Sequence, residues 1–216
     1  RKIITSMIFS IKSAEQLRAM RIDPEEFSYS LLGRYGKQAS HFDALINEIS
    51  DYDANALTTE CFSKFSININ NSENSLFLNQ IYDLFNYFRL YHEGGVFKLF
   101  KGRQAEWGGP KIRITQTDVP SWNPSKLTEP LTVYRGMSKV EYNSGNFWQS
   151  WTVLEEVACR FATETYSDIE SGIVVKINVR LASVIYFDDK NCEGEVILGH
   201  GSVSKKDVLE IGNGVL

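Results

Sequence analysis

The sequence predicts an α+β fold, a helical first half followed by a compact mixed or antiparallel β core, and three observations predict it. Apolar residues recur at helical spacing through the first ninety or so positions; glycine and proline break every period between 102 and 130; alternating, β-branched runs dominate after 131. Residues 1–110 therefore read as a helical region that packs on or precedes the core, 111–130 as a loop or linker, and 131–216 as the core itself, the whole forming one domain.

Each element has its own signal. Ser13 and Gln16, in capping-box spacing ahead of Leu17 and Met20, mark the first helix. Asp23-Pro24 opens a second, which carries Phe27, Leu31 and Leu32 inward and stops at Gly33, because proline suits a first turn and glycine an exit. A third presents Phe42, Leu45, Ile46 and Ile49. The longest, over 75–91, repeats Phe77, Ile81, Leu84, Phe85 and Phe88 at helical spacing until Gly94 and Gly95 end it. That aromatic stripe reads as core, with docking on the second half as the other use for it. Strands follow over 131–135, 173–179, 184–187, 195–198 and 208–211, with Val175, Ile177 and Val179 alternating in the second of them. One helix interrupts them, with Thr152 and Glu155 in capping-box spacing and Val157, Ala158, Phe161 and Ala162 along its apolar side.

Composition narrows the class. A chain of 216 residues can bury a substantial core, and a net charge of -4 disfavours broad capture of nucleic acid or anionic membrane. Cys61, Cys159 and Cys192 are odd in number and widely spaced, so they read as reduced thiols rather than a disulfide framework or zinc site. His41, His92 and His200 form no HExxH pattern or cluster, and no metal is expected. No apolar run reaches the length of a membrane span, so the chain reads as soluble. Starting at Arg1, it reads as a processed product or fragment.

Three segments carry candidate chemistry. Tyr134-Arg135-Gly136 ends a strand and sets a guanidinium beside a glycine whose backbone a ligand can approach. Ser150-Trp151-Thr152 puts two hydroxyls on one side of an extended stretch. Glu193-Gly194-Glu195 precedes the apolar run Val196-Ile197-Leu198, and in extended geometry its carboxylates project together. Taken singly, each has a plain structural reading: a surface arginine, a helix cap, a charged turn.

Together, in this order and spacing, the three segments resemble the Arg-Ser-Glu class of mono-ADP-ribosyltransferases, the cholera-toxin-like and clostridial-toxin-like catalytic domains. The resemblance covers roughly residues 131–211 and extends to Phe161-Ala162 and Gly201-Ser202. It departs from the family at Trp151-Thr152, in place of Thr-Ser, and at Gly199-His200, in place of a proline and a basic residue.

The resemblance implies a β-sandwich core of the ADP-ribosyltransferase type, NAD as co-substrate and no metal. It implies that Glu195 binds the nicotinamide ribose and stabilises an oxocarbenium-like centre, while Glu193 orients or deprotonates the acceptor. Arg135 would hold a diphosphate or ribose oxygen and Gly136 the nicotinamide carboxamide. Ser150 would fix the Glu195 rotamer, with Thr152 as a second hydroxyl of the NAD site. Tyr166 is the candidate to face nicotinamide, with Phe161 left to the core, and Tyr186 or Phe187 the candidate to touch the target. Glutamate at 193 implies arginine as acceptor, because a guanidinium needs a carboxylate to become nucleophilic. The implied partners are a target protein and an inhibitor, immunity protein or activator. The implied location is a secreted or delivered toxin or effector acting in a target cytoplasm, with a resident cytoplasmic protein as the alternative. Competing readings keep the NAD site but transfer to nucleic acid, a small molecule or water, or make the chain a non-catalytic interaction module. A basic groove of Lys98, Lys101, Arg103, Lys111 and Arg113 near the acids would favour nucleic acid.

Overall fold

The structure, a computed structural model, describes residues 8–53, 55–57, 63, 75–102, 112–165 and 172–213. Two compact units divide it, Arg1–Arg113 and Ile114–Leu216. Helices fill the first half, and a six-stranded antiparallel sheet follows in the second.

In the first unit, α1 (Ile11–Ala19) starts earlier than its capping pattern suggested. Ser10 is the cap, accepting from the Ser13 backbone N–H, and Ser13 is a buried residue inside the helix. Asp23 opens α2 (Pro24–Tyr35) by accepting from the N–H groups of Glu25 and Glu26 at 2.8 and 3.0 Å. The helix continues through Gly33 and ends at Gly36, where φ is 55°. Both glycines could end a helix, but only Gly36 takes the positive φ by which the chain leaves. Phe42, Leu45, Ile46 and Ile49 are all buried on α3 (Ser40–Ile49). The long α4 (Ser75–Lys101) is interrupted by non-helical dihedrals at Gly94 and Gly95, and helix resumes beyond them. Its aromatic stripe is core: Phe77, Ile81, Leu84, Phe85 and Phe88 are buried, and Phe77 meets Phe42 edge to face at 5.5 Å.

The second unit contains β1 (Leu131–Met137), β2 (Ser150–Thr152), β3 (Ile173–Val179), β4 (Val184–Phe187), β5 (Glu195–Leu198) and β6 (Val208–Asn213), in the spatial order β4-β5-β2-β1-β3-β6. A sandwich was expected; hydrogen bonding instead runs through all six strands. The continuity thins at one seam. All three residues of β2 pair with β5, but its sole register pair with β1 is Tyr134↔Thr152, whereas β1 and β3 pair from Leu131↔Val179 to Met137↔Ile173. The sheet is thus two three-stranded halves joined at a point. One apolar cluster draws on both, with Val133, Met137 and Val175 from one half and Trp151, Val196 and Leu198 from the other.

On the opposite face lie α6 (Glu155–Arg160) and the π-helical turn Phe161–Thr165, with Ala158, Cys159 and Ala162 packed on Val174 and Tyr134. Two glycines permit that approach. A Cβ on Gly136 would stand 2.1 Å from the Ala158 carbonyl oxygen, and one on Gly172 would stand 2.1 Å from that of Ala162. Gly136 therefore serves helix-on-strand packing. Phe161, expected inside, is 42% exposed, because the turn that buries Ala162 directs its neighbour outward. A short helix that periodicity did not reveal, α5 (Lys139–Ser144), is capped by Ser138 and ends at Gly145, where φ is 68°.

Candidate active site

The site is built on the β2–β5 ladder. Register pairs Ser150 with Ile197 and Thr152 with Glu195, so Ser150, Thr152 and Glu195 share one face of the sheet while Trp151 turns to the apolar cluster. Ser150 and Glu195 are diagonal neighbours, a spacing that a glutamate side chain spans. The Ser150 hydroxyl donates to Glu195 Oε1 at 2.6 Å, a length typical of a hydroxyl on a carboxylate. The bond fixes the rotamer of Glu195 beside the seam.

Arg135 closes that seam. Beyond Tyr134↔Thr152 the β1 and β2 backbones no longer pair, and the Arg135 guanidinium bridges them by donating from Nη1 to the Ser150 carbonyl. Its other side is a fork on Glu141, Nε to Oε1 at 2.8 Å and Nη2 to Oε2 at 3.0 Å. The pair is buried, with side chains 11% and 6% exposed. Glu141 Oε1 also accepts from the Trp148 backbone N–H at 2.9 Å, so one carboxylate organises β1, α5 and the entry to β2. Removing one partner of such a pair costs about 3–5 kcal/mol, since the other is left charged and buried. The two-pronged edge that suits a phosphate is thus engaged by Glu141, and Arg135 acts on the site through the Ser150 backbone. Sequence reasoning missed Glu141. The Ser138 to Glu141 capping spacing was its one visible signal, yet the carboxylate turns to Arg135 rather than back to its cap.

Glu193 and Gly194 do not take the extended path expected of them. Gly194 has φ of 54°, so the chain turns there before entering β5. The turn is pinned at several points: Asn191 Oδ1 accepts from the Glu193 N–H at 3.1 Å, the Thr152 hydroxyl donates to the Glu193 carbonyl at 2.6 Å, and the Val153 N–H donates to the Gly194 carbonyl at 3.1 Å. The Glu193 carboxylate pairs with Arg160 Nη2 at 3.3 Å. Thr152 is buried, and its oxygen also accepts from the Leu154 N–H at 2.9 Å. It forms no capping box with Glu155, because α6 starts from Leu154 without a side-chain cap. What Thr152 does is hold the turn that carries Glu193.

Gln149 is a second residue the sequence did not single out. Buried just before Ser150, it donates to the carbonyls of Ile114 and Leu198 at 2.8 and 3.0 Å and accepts from the Ile114 N–H at 2.9 Å. It thereby ties the start of the unit to β5. Of the remaining candidates, Tyr186 and Phe187 are partly buried on β4, Phe187 against the apolar cluster. Tyr166 lies outside the described residues, as do Cys61, Arg103 and Lys111. Lys98 and Lys101 lie on the last turn of α4. Burial pushes the Cys159 thiol upward, and Glu155 and Glu156 push it further.

Chemically, then, the second unit presents one carboxylate locked by a hydroxyl and another carried on a braced turn. Among the described residues, no group of three or more His, Cys, Asp or Glu side chains is placed to hold a metal ion, and no helix is long and apolar enough to cross a membrane. Comparison with family models, with curated proteins and with solved structures returns no match.

Proposed function

We propose that this chain is a mono-ADP-ribosyltransferase that moves ADP-ribose from NAD to arginine on a target protein and releases nicotinamide. The observation that carries the reading is the 2.6 Å bond from Ser150 to Glu195 across the β2–β5 ladder. A carboxylate held in one rotamer can stabilise positive charge that develops on a sugar carbon, because it needs no reorganisation when the charge appears. The two half-sheets meeting at one residue pair, with Arg135 spanning the gap, support reading the core as one of the ADP-ribosyltransferase type.

In this mechanism the bond from the ribose anomeric carbon to nicotinamide breaks, and its electron pair neutralises the pyridinium nitrogen. Glu195 stabilises the oxocarbenium-like centre. A guanidine nitrogen of the acceptor forms the new bond, and Glu193 accepts the proton it loses. Arg135 and Glu141 are positioning residues that hold the Ser150 backbone, and Thr152 holds the Glu193 turn.

Incubating the chain with NAD labelled in its ADP-ribose moiety, together with cell proteins, tests the reading. Label on a discrete protein, released by arginine-directed chemistry, is expected. Nicotinamide release without protein label would redirect the acceptor to nucleic acid, a small molecule or water. No nicotinamide release would leave a non-catalytic interaction module as the better account.

A further inference from the structure

Both partners of the Arg160–Glu193 pair are held by braced backbones, yet both side chains face water. Glu193 is carried on the turn pinned by Asn191, Thr152 and Val153. Arg160 ends α6, whose seat on the sheet is fixed by the close approach of Ala158 to Gly136 and of Ala162 to Gly172. The side chains are 48% and 40% exposed and meet through one nitrogen and one oxygen at 3.3 Å. A carboxylate presented in this way offers a guanidinium a seat that an incoming ligand can reach from solvent, and a guanidinium of the chain itself is already in it.

We infer that Glu193 is a guanidinium-binding subsite occupied in cis by Arg160, so that an acceptor guanidine must displace Arg160 before it can be modified. The inference rests on the transferase reading and extends it by naming a residue that sets acceptor affinity at that site while touching neither NAD nor the reacting carbon. Its chemistry is exchange of one ion pair for another. Glu193 releases the Arg160 nitrogen and accepts the guanidinium of the acceptor, and Arg160 turns to water, where its long side chain is well solvated. The exchange sets a small, definite penalty on acceptor binding, because a half-exposed pair is weak. The penalty falls equally on every guanidinium acceptor, so it sets how tightly the subsite binds one rather than which one it binds.

The test is transfer of labelled ADP-ribose to agmatine, over a range of agmatine concentrations, by the full chain and its Arg160→Gln and Arg160→Lys variants. Nicotinamide release without acceptor is measured for each as a baseline. Arg160→Gln is expected to lower the agmatine KM by about 1.4- to 5-fold with little change in kcat, the range spanned by exposed ion pairs. Arg160→Lys, which keeps the charge and the stem, is expected to stay near the parent value. An unchanged or higher KM in Arg160→Gln, with agmatine still labelled, overturns this inference and leaves the transferase reading intact. If the parent chain releases nicotinamide but never labels agmatine, the arginine acceptor falls and takes the inference with it. No nicotinamide release from the parent removes the transferase reading itself.

Discussion

The two units distribute their buried polar side chains differently. In the first, Phe27, Phe42, Phe77, Phe85 and Phe88 are fully enclosed, and the buried polar side chains, Ser13, Ser28 and Gln80, are spread over three helices. In the second, the apolar cluster is accompanied by Glu141, Gln149 and Thr152, all buried, all hydrogen-bonded to backbone and clustered around β2. Buried polar groups are costly unless satisfied, so a carboxylate, an amide and a hydroxyl enclosed around one three-residue strand mark where the chain gives up dry packing to hold a particular geometry. The candidate acids sit on the strand and turn that this network holds. The contrast is between buried polar groups dispersed over helices and buried polar groups gathered at one strand.

The comparison sharpens most at Glu141. Glu141→Ala takes from the largely buried Arg135 guanidinium its carboxylate partner and is expected to destabilise the second unit by about 3–5 kcal/mol. Denaturant titration followed by tryptophan fluorescence reads this, because Trp122, Trp148 and Trp151 all belong to that unit. A loss below about 1 kcal/mol, the value of an exposed pair, would mean that the network is not buried as described.

Two glycines give the next contrast. Gly136→Ala forces a Cβ against the Ala158 carbonyl, backbone against which no side chain can yield, and is expected to cost about 1–3 kcal/mol or more. Gly33→Ala, within α2 with nothing within 4 Å of the added carbon, is expected instead to stabilise the first unit by about 0.4–1 kcal/mol. Thermal melting by circular dichroism compares them. Shifts of the same sign would break the distinction between a glycine kept for close approach and one that only loosens a helix.

What could be read from the sequence follows from period. The buried face of α3, the alternation along β3 and the sharing of one face by Ser150 and Thr152 are period-2 or period-3.6 patterns among near neighbours, and all three were legible. What escaped depends on side-chain partners that no helical or strand period marks, or on dihedrals that residue identity leaves open. Nothing near Glu141 in sequence announces that it meets Arg135. Gly33 and Gly36 look alike as helix ends until one of them takes a positive φ, and Gly194 turned a stretch that alternation alone would extend. The seam between β1 and β2 lies where their pairing stops at Tyr134↔Thr152, and where pairing stops is the least determined part of a sequence pattern. Phe161 was misplaced because helical spacing was carried into a π-helical turn.

The account stands or falls on whether the carboxylate held by Ser150 is the one that does the chemistry. The direct measurement is the rate of nicotinamide release from NAD by the chain and by Glu195→Gln, a change of one atom, with melting temperature recorded for both. The account predicts a fall of at least about 10²-fold with the melting temperature little changed, the scale on which loss of a transition-state charge partner acts. Release that persists at the parent rate in a folded Glu195→Gln protein would contradict it.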